Sequence, residues 1–188
     1  MEQRYFQIEN IQTRNDEDKN LYIEGYFSVF NSNYAVWDGV TESIAPGAFD
    51  ESIHDDVRAL FNHNTDLILG RTTNGTLELR QDDHGLWGRI KINPNDTDAV
   101  NAYERVARGD VTGCSFGFDI ESETREVSDD GSVHYTINKV NPLFEVSPCV
   151  FPAYEATHID ARHRNEESIK KREHEEWQMR MKAKLKGE

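Results

Sequence analysis

The sequence of 188 residues has no hydrophobic run near 18 residues, the length at which a membrane-spanning helix becomes a candidate. Its first stretch, Met1–Tyr5, lacks the apolar core of a secretion signal. Cysteine is also scarce, because only Cys114 and Cys149 are present. The two could pair in principle. Without a secretion signal, however, we expect free thiols in a reducing cytoplasm.

Positive charge is the other shortage, with 21 Lys+Arg against 35 Asp+Glu and a net charge of -14. Residues 1–161 hold 12 basic and 29 acidic side chains, a balance of -17, whereas residues 162–188 hold 9 and 6, a balance of +3. So acidic a body lacks the basic face that neutralises phosphates, which argues against nucleic acid as the main partner. The change of sign predicts a boundary at residue 162 between a body and a charged tail.

Helical patterns are few in the body. The only clear one spans residues 95–108, with Asp96 or Thr97 as its N-cap and Gly109 at its end. Most of the remaining body reads as short strands separated by polar segments, which include a polar turn at 13–20, a loop at 31–39 and a hairpin turn at 81–85. This pattern predicts a mainly β, α+β domain, built as an antiparallel barrel or sandwich with helices outside it. Residues 165–186 have strong helical propensity and predict a helical tail.

The central stretch of the body is Gly113–Phe118, a strand-like run with a serine between two glycines. Glycine destabilises a strand, so it is tolerated where another backbone or a ligand must come close. Ser115 therefore has two interpretations: an ordinary residue of a glycine-flanked strand, or a nucleophile presented to a bound peptide. Cys114 is an alternative nucleophile, but strand alternation predicts that it lies on the opposite face from Ser115.

A serine nucleophile needs a general base, and His63 is the candidate among seven histidines. It follows the apolar strand 57–61 directly, and a strand end is a rigid mount with an open side. A polar strand terminus is the simpler interpretation. Glu145 is the one acidic residue inside an apolar strand, so it either faces solvent or is buried beside a histidine. A metal hydrolase built on His54 and His63 is disfavoured, because the sequence has no tight ligand cluster.

Several stretches together resemble the prohead maturation proteases of tailed phages, a family similar in role and fold to the herpesvirus capsid-assembly protease, assemblin. Each stretch is weak alone, and their order and spacing make the resemblance specific. They cover roughly residues 20–157: Gly25–Phe30, Ile44–Phe49, Leu60–Asn64, Leu69–Gly70, His84–Leu86, Gly109–Phe118, and Leu143–Ser147 continuing to Ala153.

The resemblance implies Ser115 as the nucleophile, His63 as the general base and Glu145 as the group that orients His63. Assemblins use a second histidine in the third role, so His134 is the alternative to Glu145. We expect neither a cofactor nor a metal ion. The oxyanion-hole donors stay open, with backbone N–H groups near Ser115 as the expected kind.

The resemblance further implies a serine endopeptidase that cleaves scaffold and capsid-protein segments, and itself, during procapsid maturation. It would act in the host cytoplasm, inside the assembling procapsid. Its partners would be the major capsid protein precursor, a scaffold protein or domain, and further copies of itself, with no nucleic acid and no membrane. The expected fold is an assemblin-like antiparallel β-barrel over residues 1–161, followed by the tail 162–188. A non-catalytic capsid-assembly or scaffolding module on the same fold is the alternative, and the presence of both His63 and Ser115 argues against it.

Overall fold

The computed structural model describes residues 2–6, 11–15 and 20–150, in which the chain forms eleven strands and one α-helix. Successive side chains of a strand point to opposite faces, so alternation of apolar and polar residues favours the strands. Two short 3-10 helices, Ser52–His54 and Thr72–Asn74, complete the described elements. The strands and the α-helix are β1 Glu2–Phe6, β2 Gln12–Asn15, β3 Leu21–Val29, β4 Tyr34–Trp37, β5 Val40–Ile44, β6 Arg58–Phe61, β7 Asn64–Arg71, β8 Leu77–Gln81, β9 Gly85–Ile92, α1 Thr97–Arg108, β10 Gly113–Val127 and β11 Val133–Cys149.

The larger sheet has seven strands and is organised around β11. One edge of β11 pairs antiparallel with β10, which in turn pairs with β1. The other edge has two parallel partners: β5 lies beside residues 133–137, and β6 lies beside Glu145 and Val146. The outer strands β4 and β7 pair with β5 and β6. One long strand therefore joins the predicted nucleophile strand to the strand that ends before His63.

The smaller sheet is antiparallel in the order β2-β3-β9-β8. Helix α1 is capped by the Asp96 side chain, which accepts hydrogen bonds from two backbone N–H groups, and it ends at Gly109 with a φ of 83°. Residues of both sheets and of α1 share one hydrophobic core. Its aromatic centre is Phe116, whose ring lies 5.4 Å from that of Phe49 and 4.8 Å from that of Phe118.

A mainly β domain with few helices was predicted and is confirmed, but the antiparallel barrel is wrong. Over residues 2–6, 11–15 and 20–150 the strands form two separate sheets, and neither closes on itself. The larger sheet is mixed, since β11 pairs in parallel with β5 and β6. A barrel closes only when the outermost strands of one sheet pair with each other. In the larger sheet, β5 and β6 instead pair with different parts of the same edge of β11.

The predicted helix over 95–108 and the predicted hairpin at residues 81–85 are both present, as α1 and as the turn between β8 and β9. Two local predictions were wrong: residues 31–39 were expected to be a loop but contain β4, and the expected polar turn at 13–20 overlaps β2. The body–tail boundary at residue 162 and the helical tail lie outside the described residues. No helix in the described part is long and apolar enough to cross a membrane.

Candidate active site

His63 lies in a two-residue turn that joins β6 to β7, since the flanking residues Phe61 and Asn64 pair with each other. Asn62 and His63 have φ values of 53° and 57°, the left-handed conformation that a type I′ hairpin turn requires at both of its central residues. Asn and His are among the side chains that tolerate this region best. Backbone strain of this kind persists only where the surroundings enforce it.

Three hydrogen bonds tie this turn to the end of β11. The backbone N–H of Asn62 donates to the carbonyl of Pro148 at 3.0 Å, and its side-chain Oδ1 accepts from the N–H of Val150 at 2.9 Å. The backbone N–H of His63 donates to Ser147 Oγ at 3.3 Å. The turn is therefore fixed to β11, the strand that carries Glu145.

The imidazole of His63 binds the carboxylate of Glu145, with 2.6 Å between Nδ1 and Oε1. Both side chains are over nine-tenths buried. The other carboxylate oxygen, Oε2, accepts a hydrogen bond of 2.5 Å from Ser147 Oγ. A buried carboxylate is tolerated only when its oxygens are satisfied in this way. Because a carboxylate accepts, the network assigns the proton to Nδ1 and leaves Nε2 as the acceptor.

The register between β10 and β11 places Ser115 on the same face of the sheet. Ser115 is opposite Ser147, and Gly117 is opposite Glu145. Directly opposed residues on antiparallel strands project to the same side, about 5 Å apart. Ser115 is itself fully buried. A serine hydroxyl, an imidazole and a carboxylate are thus gathered on one sheet face.

Gly117 makes room for the carboxylate. A Cβ at this position would lie 2.6 Å from Glu145 Oε1, closer than real Cβ atoms approach, and 3.2 Å from its Cγ, which is a tight contact. The sequence alone predicts that another backbone or a ligand comes close to this glycine. The group that comes close is instead the side chain of the facing strand.

Neither thiol competes with the serine. Cys114 belongs to the hydrophobic core on the opposite face, as strand alternation predicted. Burial, with a contribution from Cys149, raises the pKa of Cys114 far above its usual value. Cys149 lies on the face of Ser115, but burial and the charge of Glu145 raise its pKa to about 12. At neutral pH both groups stay protonated and weakly nucleophilic.

Of the two candidates for the third role, only Glu145 contacts His63. His134 lies near the start of β11 and is engaged by β5: Thr41 Oγ1 is 2.7 Å from its Nδ1, and Ser43 Oγ is 2.9 Å from its Nε2. His54 lies in the first 3-10 helix.

Sequence reasoning did not identify Ser147. Alternation placed it on the face of Glu145, but nothing in the sequence signalled that this face is buried.

Comparison with known proteins identifies the family. Residues 9–172 match the caudovirus prohead serine proteases. The prohead protease of Enterobacteria phage HK97 is 30% identical over 149 residues, which cover 77% of this chain and 61% of that protein. The chain therefore matches about three-fifths of the length of this relative. No solved structure matches significantly. Since the family match covers most of the sequence, the chain belongs to the caudovirus prohead serine protease family.

Proposed function

We propose that the chain is a serine endopeptidase that acts in the maturation of phage procapsids, with Ser115 as nucleophile, His63 as general base and Glu145 as the orienting group. The observation that carries the proposal is the 2.6 Å hydrogen bond between His63 Nδ1 and Glu145 Oε1, on the sheet face that also bears Ser115. Membership of the prohead protease family supports the same assignment.

In this mechanism Ser115 Oγ attacks the scissile carbonyl while its proton passes to His63 Nε2. Glu145 keeps the proton on Nδ1, so that Nε2 can accept, and its negative charge stabilises the imidazolium that forms. The protonated Nε2 then gives its proton to the leaving amine, and an acyl-enzyme remains on Ser115. Water, deprotonated by the same imidazole, hydrolyses the ester and restores the serine. Backbone N–H groups near Ser115 are the expected donors to the oxyanion.

The substrates that fit this role are the precursor of the major capsid protein and a scaffold protein or scaffold domain, with cleavage of the protease itself as a further step. The support is the relative from phage HK97, which is a prohead protease. The corresponding place of action is the assembling procapsid in the host cytoplasm. Residues 1–161 would form the protease domain, and residues 162–188 would form a separable tail.

Substitution of the two reacting residues tests the proposal. Ser115→Ala removes the nucleophile, and His63→Asn removes the base while keeping a residue that tolerates the left-handed turn. Each should lower the turnover of the capsid precursor by about 10⁶-fold, by analogy with another serine protease, and the double variant should be hardly worse. Cleavage at the wild-type rate by Ser115→Ala would contradict the assignment. A wild-type chain that enters procapsids but cleaves nothing would favour the non-catalytic assembly module.

A further inference from the structure

Ser147 is a buried residue of β11 that no step of the reaction uses. Its hydroxyl has two described partners. It accepts from the backbone N–H of His63 at 3.3 Å and donates to Glu145 Oε2 at 2.5 Å. One oxygen atom therefore contacts both the backbone of the proposed base and the carboxylate that binds the base's ring.

The direction of these two hydrogen bonds is fixed by chemistry. A backbone N–H can only donate, so Ser147 Oγ must accept from His63. A hydroxyl has a single proton, and that proton goes to the carboxylate. Alanine at position 147 would leave one oxygen of Glu145 and the backbone N–H of His63 without this partner. Both groups lie in or beside a buried region, where a polar group that lacks its hydrogen bond destabilises the fold.

The backbone conformation of the turn makes this contact important for the position of His63. His63 has a φ of 57°, a conformation that a non-glycine residue holds only when its surroundings enforce it. The hydroxyl of Ser147 fixes the backbone of His63, and through Glu145 it fixes the direction of the imidazole. Small errors in the placement of a general base reduce turnover strongly.

We propose that Ser147 is a positioning residue, which holds the His63 turn and the Glu145 carboxylate in the geometry that the reaction needs. The inference rests on the proposed function for its kinetic consequence. No step of the proposed mechanism uses Ser147, and its described contacts are with His63 and Glu145, through which it acts. Its loss should therefore lower kcat and leave KM nearly unchanged.

The chain offers a matched control for a buried serine. Ser28 in β3 is also fully buried, and among the described residues its Oγ has no hydrogen-bond partner. Ser147→Ala and Ser28→Ala remove the same atom from the same degree of burial. We expect Ser147→Ala to lower kcat by about 10- to 100-fold, the effect of losing a hydrogen bond to a charged group. Ser28→Ala should keep the wild-type kcat.

A double-mutant cycle separates positioning from general stability. If Ser147 acts through Glu145, then adding Ser147→Ala to Glu145→Gln should cost far less than it costs in the wild-type chain. Ser28→Ala should combine additively with Glu145→Gln. A full additional loss from Ser147→Ala in the Glu145→Gln background, together with an unchanged proton signal between His63 and Glu145 in Ser147→Ala alone, would overturn the inference. So would a wild-type kcat for Ser147→Ala alone.

Proton NMR gives a second measurement that does not depend on activity. The proton held between His63 Nδ1 and Glu145 Oε1 should resonate far downfield of the amides, because the two atoms are only 2.6 Å apart. Ser147→Ala should shift or broaden this signal, and Ser28→Ala should not. If the wild-type chain has the signal but cleaves no capsid precursor, the proposed function fails while the positioning inference can still be judged from the variants.

A second variant covers the case in which Ser147→Ala lowers the melting temperature. Ser147→Thr keeps the hydroxyl on a side chain that suits a strand. It should retain the downfield proton and most of the turnover. If Ser147→Thr loses the signal as completely as Ser147→Ala while both remain folded, the hydroxyl is not the positioning group.

Discussion

At the scale of single residues, substitution of Glu145 tests whether Glu145 or His134 is the residue that orients His63. Glu145→Gln keeps the shape of the side chain but removes the charge that stabilises the imidazolium. We expect turnover to fall by about 10⁴-fold, the loss seen when the third residue of another serine protease is converted to its amide. The melting temperature should change little, because the amide oxygen can still accept from His63 Nδ1 and the amide NH2 group can donate to Ser147 Oγ, which has two acceptor lone pairs. Cleavage kinetics and thermal unfolding of the same protein provide both values.

His134→Ala is the matched comparison for this prediction. His134 bonds to Thr41 and Ser43 on β5, so its loss should affect the pairing of β5 with β11 and leave turnover close to the wild-type value. The opposite pattern, with His134→Ala inactive and Glu145→Gln active, would move the third role to His134. The site would then resemble that of assemblin.

The sequence alone identifies those site residues that are marked by their neighbours in the chain. His63 is marked by the apolar strand before it, and Ser115 by the glycines on either side. Ser147 carries no such mark, and no neighbour of Gly117 in the chain shows which group comes close to it, because both contacts depend on the partner strand opposite each residue. Register between distant strands is set by the packing of the whole sheet, which a local pattern does not encode.

At the scale of elements, the pairing of β10 with β11 makes Gly117 a structural requirement of the site. An added methyl group at Gly117 would overlap Glu145 Oε1, which also binds His63 Nδ1. Gly117→Ala should therefore push the carboxylate away from the imidazole and lower kcat. We expect a loss between about 10-fold and the 10⁴-fold loss predicted for Glu145→Gln, because the charge is displaced but not removed.

The control for Gly117→Ala is the double variant Gly117→Ala/Glu145→Gln. If the methyl group acts by displacing the carboxylate, the double variant should be about as active as Glu145→Gln alone. Unchanged turnover for Gly117→Ala would mean that Glu145 can move without consequence, and it would weaken the orienting role of Glu145. Thermal unfolding should accompany the kinetics, because overpacking of a buried site also reduces stability.

The order of pairing around β11 was the part of the fold that sequence patterns could not supply. Short strands and turns predicted a β domain, and the hairpin between β8 and β9 follows from its local turn residues. The parallel partners β5 and β6 lie far from β11 in the sequence, so no local signal assigns them. The antiparallel barrel was inferred from a family resemblance and a count of strands, and neither of these determines whether a sheet closes.

At the scale of the whole molecule, charge divides the sequence into unlike parts. Residues 1–161 have a balance of -17, and residues 162–188 have a balance of +3. A basic segment is attracted to acidic surfaces, including the body itself or an acidic partner, but such attraction is screened beyond about 8 Å at physiological salt. The predicted helix over 165–186 adds only a thin apolar stripe of Trp177, Met181 and Leu185, which suits reversible docking onto a helical scaffold.

We therefore expect the tail to deliver the protease into the assembling shell and to contribute little to catalysis. Deletion of residues 165–188 should leave the cleavage of a soluble peptide substrate unchanged, because the proposed catalytic residues lie on β10, on β11 and in the turn between β6 and β7. The same deletion should abolish incorporation into procapsids, measured as protease per purified particle. A control that replaces Trp177, Met181 and Leu185 with serine, and keeps every charge, separates the apolar stripe from the basic surplus. Normal packaging of the truncated chain, or its failure to fold, would show that residues 165–188 are not a targeting element.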